Sequence, residues 1–577
     1  MVTTSGRCVH AASPAAVRAR PREVPVPARG PAGGARTFDG LVHRAAAARG
    51  GSPALVEGDR RISWAELDAL VDRAAAGYAA RGLSAGDRVA VQLRNGIDWV
   101  LATVGALRAG LVVVPVNTAY TEDETAHLLT DSGARLLVAG AAGAAVAGVP
   151  VIAGPPAADG PPPPAPDDPG ALALLAYTSG TTGRPRGAML THAALLANQQ
   201  QCLALDPPPV RADDRVLVVL PLFHVYGLNA GFGLVAATGA CAVLVPEFDP
   251  VATLQLMVDE AVTAIPGAPP MYAAWLTVAD AVGDAALRRA CTAVRTASCG
   301  AAPLPAGVFA GMRDRAAVTV WEGYGLTEAA PVLASTLATG RAKAECIGGP
   351  LPGVDLVLRD TAGGPVAGND PGSRVRAGVF GDPYGDDAPG SSGEEAGELC
   401  ARGPNLFSGY WPDGADGPDA EGWLLTGDIA YRDADGDLRL VDRRRDLVLV
   451  SGFNVYPGEV ERVLDAHPGV AESAVIGVPD PRTGEAVHAV VVRNPGEPVG
   501  EAALLEHARA SLARFKVPTG VHFVPELPHS LAGKVSRARL RELGLERAAA
   551  AAGRDDGPDR DDDDGLTIDP REEVGGA

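Results

Sequence analysis

Several absences narrow the reading first. No run of about 18 apolar residues occurs, so no segment reads as a membrane span. No apolar core of a secretory leader follows the first residues. The seven cysteines (Cys8, Cys202, Cys241, Cys291, Cys299, Cys346 and Cys400) form no C-x-x-C pair. Their scatter argues against structural zinc or a disulfide framework and fits a reducing cytoplasm. A basic excess is missing too. The formal net charge of −20 argues against nucleic-acid binding, which rests on cationic patches.

What is present has the size and pattern of more than one domain. At 577 residues and 47% hydrophobic residues, the chain can build sizeable cores but is too long for one. Residues 1–36 carry six Arg and no Lys among many Ala and Pro, and read as a disordered extension. The acidic run Asp555 to Asp564 lies in a Gly/Asp-rich tail, 546–577, of the same kind.

Between these ends, Trp64 to Ala80 and Trp99 to Arg108 have helical spacing, while Arg88 to Leu93 and Leu111 to Val116 read as strands. Strand-like runs return at Ala171 to Ala176, Arg215 to Leu220, Ala242 to Val245, Ala293 to Ala297 and Ala317 to Val320. This α/β alternation predicts parallel sheets covered by helices. Pro155 to Pro169 reads as an extended surface connector, and 361–395 as an exposed low-complexity insert in a β-rich subdomain. After Asp446 the pattern becomes α+β. Helices are predicted at Gly458 to His467 and Glu501 to Ala513, with strands at Glu472 to Val478, Ala486 to Arg493 and Gly520 to Val524. The fold class expected is α/β: a large N-terminal domain (37–443) with packed parallel-type sheets and a β-rich subdomain, plus a small α+β C-terminal lid domain (444–545).

One loop carries most of the functional signal. Thr178, Ser179, Gly180, Thr181, Thr182 and Gly183, then Gly187, alternate hydroxyl and glycine, with Arg184 and Arg186 beside them. Glycines let backbone N–H groups converge, hydroxyls add uncharged donors, and guanidiniums neutralise outer oxygens. Such a nest suits a polyphosphate. It is not the G-x-x-x-x-G-K-[ST] loop of the common NTPases. An apolar strand precedes it and His192 to Gln201 reads as a helix, so a strand-to-helix turn is expected.

The loop resembles the phosphate-binding signature of the adenylate-forming superfamily, which holds acyl-CoA synthetases, peptide-synthetase adenylation domains and luciferases. The resemblance continues in order through PLFHVYGL from Pro221, GAAPL from Gly300, YGLTE from Tyr324 and TGD from Thr426. It then runs through DRRRDLVLVSGFNVYPGEVE from Asp442 and ends with Gly533–Lys534, covering roughly residues 37–545. It looks most like the fatty-acyl-CoA synthetase branch.

The chemistry this implies is attack of a carboxylate on the α-phosphate of ATP, giving acyl-AMP and pyrophosphate, followed by displacement of AMP by the thiol of CoA. The resemblance implies Glu328 as the Mg²⁺ ligand and Thr327 as a phosphate contact. Gly300, Ala301, Ala302 and Tyr324 are expected to hold adenine, and Asp428 with Arg443 the ribose. His224 is expected to gate the acid pocket. Lys534 is expected to be carried in by the rotating lid to bridge carboxylate and α-phosphate. The hinge falls at Arg445, and Gly452 and Phe453 are expected to line a pantetheine tunnel. One position departs from the pattern: Arg186 stands where the usual P-K-G has Lys, which keeps the charge but replaces a point donor by a planar fork.

Enzymes of this kind that adenylate amino acids place an Asp soon after the His224 motif, because a buried ammonium needs a partner. Val225, Tyr226, Gly227, Leu228 and Asn229 offer no carboxylate, and Ile265 to Met271 are apolar. A medium- or long-chain fatty acid is therefore expected, with an aryl acid as the alternative. An acyl-AMP ligase that loads a carrier protein shares the first step and stays open, as does a homodimer. A nucleotide-binding regulator without activity is disfavoured by Glu328, Asp428 and Lys534 occurring together. Lys534→Ala should cut adenylation by roughly 10²–10³-fold, the cost of losing one preorganised cation at developing charge. Thioester formation from supplied acyl-AMP should survive. An equal fall in both half-reactions, each measured separately, would contradict the rotating-lid role.

Overall fold

A computed structural model describes residues 35–178, 185–359 and 396–443, then 448–450, 453–455, 457–480, 484–497, 499–512, 514–529, 535, 537 and 539–540. The N-terminal extension, the 361–395 insert, the acidic tail, Ser179 to Gly183, Arg445, Gly452 and Lys534 therefore lie outside the described residues. Of Arg443 and Phe453 only the backbone is described.

Four sheets organise the described residues. A seven-stranded sheet runs, neighbour to neighbour, Gly143–Val146, Val149–Ala153, Ala134–Ala139, Arg88–Gln92, Val112–Pro115, Leu172–Thr178 and Arg186–Thr191. A nine-stranded sheet runs Gly349–Pro350, Val332–Ser335, Val320–Gly325, Thr296–Cys299, Ala264–Gly267, Arg215–Val218, Cys241–Leu244, Pro53–Glu57 and Arg60–Ser63. Their central pairs are parallel. Strands such as Val112–Pro115 and Cys241–Leu244 are buried along their whole length, as unbroken apolar runs between helical layers must be. A four-stranded antiparallel sheet follows: Asp355–Arg359, Gly397–Arg402, Leu424–Arg432 and Leu438–Arg443. The last part is α+β. Strands Phe453–Val455, Val448–Val450, Gly484–Arg493 and Val470–Asp480 pair in that order, with Gly520–Phe523 alongside Gly484–Arg493 and helices Pro457–Asp465 and Glu501–Ser511 packed on them.

Local chemistry sets the helix ends. Trp64–Ala80 starts at a capping box in which Ser63 and Glu66 satisfy each other's backbone N–H groups, and Thr121 with Glu124 does the same for Glu122–Ser132. The predicted helices and strands lie where the pattern put them, within a few residues. Two expectations need correction. The phosphate-loop segment does not open into a helix. Leu172–Thr178 pairs antiparallel with Arg186–Thr191, with Thr178 opposite Arg186, so the loop tops a hairpin and helix His192–Leu203 follows one strand later. The Pro-rich connector is not simply exposed either. Pro156 is buried, Ala158 N donates to Arg73 O at 3.1 Å, and a Cβ on Gly77 would come within 2.7 Å of the Ala157 nitrogen. Among the described residues no helix is long and apolar enough to cross a membrane.

After Val320–Gly325 the chain reverses to pair antiparallel with Val332–Ser335. Leu326 N donates to Pro331 O at 3.0 Å. A Cβ on Gly325 would fall 1.8 Å from that same oxygen, so no larger residue fits without moving backbone. Gly325→Ala should destabilise the protein by about 3 kcal/mol, the upper end for forced overpacking. Urea denaturation checks this, and a variant within about 0.5 kcal/mol of the parent would show that the turn yields.

Candidate active site

The C-terminal ends of both large sheets and one edge of the antiparallel sheet open onto a single cavity of about 1170 Å³. That exceeds the roughly 300–1000 Å³ of a site for one small ligand, and leaves room for two substrates. Thr178, Arg186, His224, Gly300, Ala301, Tyr324, Thr327, Glu328 and Asp428 all line it. Residues scattered over 250 positions are thus brought to one place. Ala302 is not among the lining residues.

Tyr324 is the penultimate residue of strand Val320–Gly325, and its hydroxyl donates to Asp428 Oδ2 at 2.6 Å. Both side chains are nearly buried. The expected adenine and ribose residues therefore position each other. Asp428 is opposite Arg443 in the register of the antiparallel sheet, and its N–H donates to Thr426 Oγ1 at 3.1 Å. This explains the Thr–Gly–Asp order: the Thr hydroxyl supports the irregularity in strand Leu424–Arg432, with Gly427 at φ 74°, that presents the carboxylate.

Thr327 and Glu328 lie in a single 3₁₀ turn, Thr327–Ala329. Three asparagines hold its exit. Asn229 donates to Ala330 O at 2.6 Å, Asn405 to Ala329 O at 2.7 Å, and Asn198 to Val332 O at 2.7 Å. Asn229, which the sequence offered as a pocket residue, is thus a buried structural anchor, also accepting from Gln199 Nε2 at 2.7 Å. Tyr410 donates its hydroxyl to Glu328 Oε1 at 2.5 Å. Burial first, and the neighbouring Glu328 second, raise the phenol's pKa above its ordinary value, so it stays a donor. One carboxylate facing a cavity with a hydroxyl residue beside it fits Mg²⁺, which is usually held by one or two carboxylates and substrate phosphates.

A second acidic group at Cys346, Asp433 and Asp437 is already neutralised. Lys343 Nζ lies 3.0 Å from Asp433 and 2.9 Å from Asp437, and Arg341 is 2.5 Å from Asp437.

Beyond Gly300 the cavity becomes apolar, lined by Cys202, Leu205, Val210, Tyr226, Leu234 and Ile265. Burial pushes the Cys202 thiol up to about 12, so it stays neutral. Tyr226 begins an eight-residue π-helix, Tyr226–Gly233. Its ring rests against Gly300, where a Cβ would come within 3.2 Å of it. The pairing of this ring with that glycine, like Tyr410 with Glu328, was not read from the sequence. Both are contacts between distant segments with no local signal.

Glu322, next in sequence to the lining residues Gly323 and Tyr324, is itself buried and only 3% exposed. It accepts from Leu304 N at 3.1 Å and Cys346 N at 3.4 Å. Burial outweighs these donors and pushes its pKa from the ordinary 4.5 up to about 7.

Two family models match the chain: the AMP-binding enzyme over residues 42–411, and the AMP-binding enzyme C-terminal domain over residues 459–534. The chain belongs to the AMP-binding enzyme family, in its acyl-CoA synthetase branch. It is 38% identical over 502 residues to a feruloyl-CoA synthase of Amycolatopsis sp, covering 85% of this chain and 95% of that one. It is 31% identical over 531 residues to a long-chain-fatty-acid–CoA ligase of Bacillus subtilis (strain 168), covering 83% and 90%. Among solved structures, ATP-bound MatB from Rhodopseudomonas palustris matches with a TM-score of 0.74 at 31% identity, over 88% of this chain and 99% of that one.

Glu322 generates a pH prediction. A carboxyl raised in the folded state holds its proton after the unfolded chain has lost it. Its contribution to stability is therefore full below about pH 4.5 and lost as pH rises to about 7. A shift of that size is of order 3 kcal/mol. Glu322→Gln should flatten the fall in melting temperature across that window, whatever its absolute stability. Parallel curves for the two proteins would assign the slope to other groups.

Proposed function

We propose that the protein ligates CoA to a carboxylic acid with a flat, apolar tail, most simply an arylpropenoic acid, through an acyl-AMP intermediate made from ATP. The observation that carries this is the apolar arm walled by the Tyr226 ring. It leaves the same cavity that holds Tyr324, Asp428, Thr327 and Glu328. An aromatic wall set against a glycine gives a planar acid a stacking face, worth about 0.5–1.5 kcal/mol beyond burial. The 38% identity to a feruloyl-CoA synthase supports the same choice.

In this reading Tyr324 and the Gly300–Ala301 backbone take adenine, Asp428 takes the ribose hydroxyls, and Thr178 with the loop that follows takes the phosphates. Glu328 would hold Mg²⁺, which when bound neutralises charge on the phosphates. His224, which lines the same cavity, would orient the carboxylate. Arg443, opposite Asp428, joins the ribose contact, and Lys534, with Gly452 and Phe453 on the thiol path, completes the proposal from the C-terminal lid. The six buried thiols among the described cysteines support a reducing, cytoplasmic location.

A straight-chain fatty acid is the second reading. The apolar arm reaches Leu205 and Val210, deep enough to gain about 0.8 kcal/mol for each methylene it buries. The 31% identity to a long-chain-fatty-acid–CoA ligase points the same way. ATP–pyrophosphate exchange and CoA-dependent AMP release, run over hydroxycinnamates, medium- and long-chain fatty acids and amino acids, separate the two. Hydroxycinnamates should give the highest kcat/KM, and Tyr226→Ala should lower it for them by about tenfold while sparing fatty acids. Fatty acids about tenfold better than any aryl acid would overturn the first reading. Equal exchange with amino acids would overturn both, since no carboxylate lines the apolar arm among the described residues.

A further inference from the structure

Arg186, the residue that replaces the usual Lys, does not simply extend into the cavity. Its guanidinium carbon lies 4.0 Å over the centre of the Tyr410 ring, and Nη1 is 2.7 Å from Asp416 Oδ2. The hydroxyl of that same ring donates to Glu328 Oε1 at 2.5 Å and also meets the Thr178 hydroxyl. The backbone reinforces this arrangement. The segment around Tyr410 pairs along the strand that carries Arg186, through Met189 N to Gly409 O at 3.1 Å, Ser408 N to Met189 O at 3.0 Å and Trp411 N to Gly187 O at 2.8 Å. Phe407 N donates to Glu328 O at 2.8 Å. Tyr410 is therefore gripped on its face by a cation, from its own backbone by a strand, and at its hydroxyl by Glu328.

We propose that Tyr410 is a positioning residue for Glu328, and that Asp416 and Arg186 form the clamp that holds its ring. A carboxylate with one oxygen fixed by a half-buried phenol presents its other oxygen in one orientation, which is what a cation with strict octahedral demands needs. The substitution of Lys by Arg follows from this. A planar guanidinium covers the ring face and keeps N–H groups for Asp416, and an ammonium does one of these less well. The proposal rests on the reading of Glu328 as the Mg²⁺ ligand.

Tyr410→Phe keeps the ring and its stacking and removes only the hydroxyl. Calorimetric binding of ATP to the full-length protein, in EDTA and in Mg²⁺, gives a readout independent of turnover. Affinity in EDTA should be unchanged, while the gain on adding Mg²⁺ should fall about tenfold, the lower end for removing a residue that orients a metal ligand. The Mg²⁺ concentration for half-maximal pyrophosphate exchange should rise by a similar factor with the KM for the acid unchanged. Asp416→Ala, at an exposed carboxylate, should shift the same quantities in the same direction by a smaller factor. A wild-type Mg²⁺ response in Tyr410→Phe, or an equal loss of affinity in EDTA and in Mg²⁺, would overturn the positioning role. Glu328→Gln separates the underlying reading: if it leaves the Mg²⁺ response intact, Glu328 is not the ligand and that premise fails by itself.

Discussion

The reversal of the chain between Gly325 and Pro331 is the constraint on which the site depends. Its backbone passes too close to itself for any side chain at Gly325. In that short span it aims Tyr324 at Asp428, turns Thr327 and Glu328 to the cavity, and exposes carbonyls that only buried donors can satisfy. Asn198, Asn229 and Asn405 supply them from a helix, a π-helix and a loop that are otherwise unrelated. The turn is therefore the point at which the nine-stranded sheet, the seven-stranded sheet and the antiparallel sheet are fastened together. The binding groups of all three keep their spacing because this one peptide segment cannot relax.

Charge is distributed on the same plan. The net charge of −20 extends to the site, where Asp123, Glu124, Glu328, Glu398, Asp416 and Asp428 line the cavity together with Arg186. Three of these acidic residues have individual partners across the site: Asp428 has Tyr324, Glu328 has Tyr410, and Asp416 has Arg186. A carboxylate held this way keeps its orientation and its ability to accept, without presenting loose negative charge to a polyanion. The apolar arm contrasts with it, since its polar atoms are a phenol and thiols that burial keeps neutral.

Much of this was legible in the sequence, for physical reasons. Helices such as Trp64–Ala80 and buried strands such as Val112–Pro115 carry their period and their caps in consecutive residues. The nucleotide-side residues sit in short glycine-flanked strings that a backbone approach requires, and eight of them meet at one cavity, with His224 of the acid pocket as a ninth. Two kinds of fact were not legible. A two-strand hairpin and a strand-to-helix turn look alike where a short strand, Arg186–Thr191, runs directly into a capped helix. Contacts such as Tyr410 with Glu328 or Tyr226 with Gly300 join positions more than 70 residues apart, and nothing local marks them. Asn229 shows the reverse case, in which a residue in a recognisable string serves the turn behind the pocket instead of the pocket.

The π-helix at Tyr226–Gly233 gives the wall of the apolar arm an unusual kind of adjustability. A π turn is an α turn with one residue too many, and it persists because Asn229, in its middle, is fastened by three hydrogen bonds to two neighbouring segments, helix His192–Leu203 and the turn at Ala330. Loss of a single residue there would restore the tighter helix and rotate Tyr226 by about 100° relative to that anchor. The aromatic face would leave the arm while the core behind it stayed in place. A length change of one codon at this turn would thus reshape the cavity wall on the Tyr226 side while the turn that carries Thr327 and Glu328 keeps its own anchors, Asn198 and Asn405.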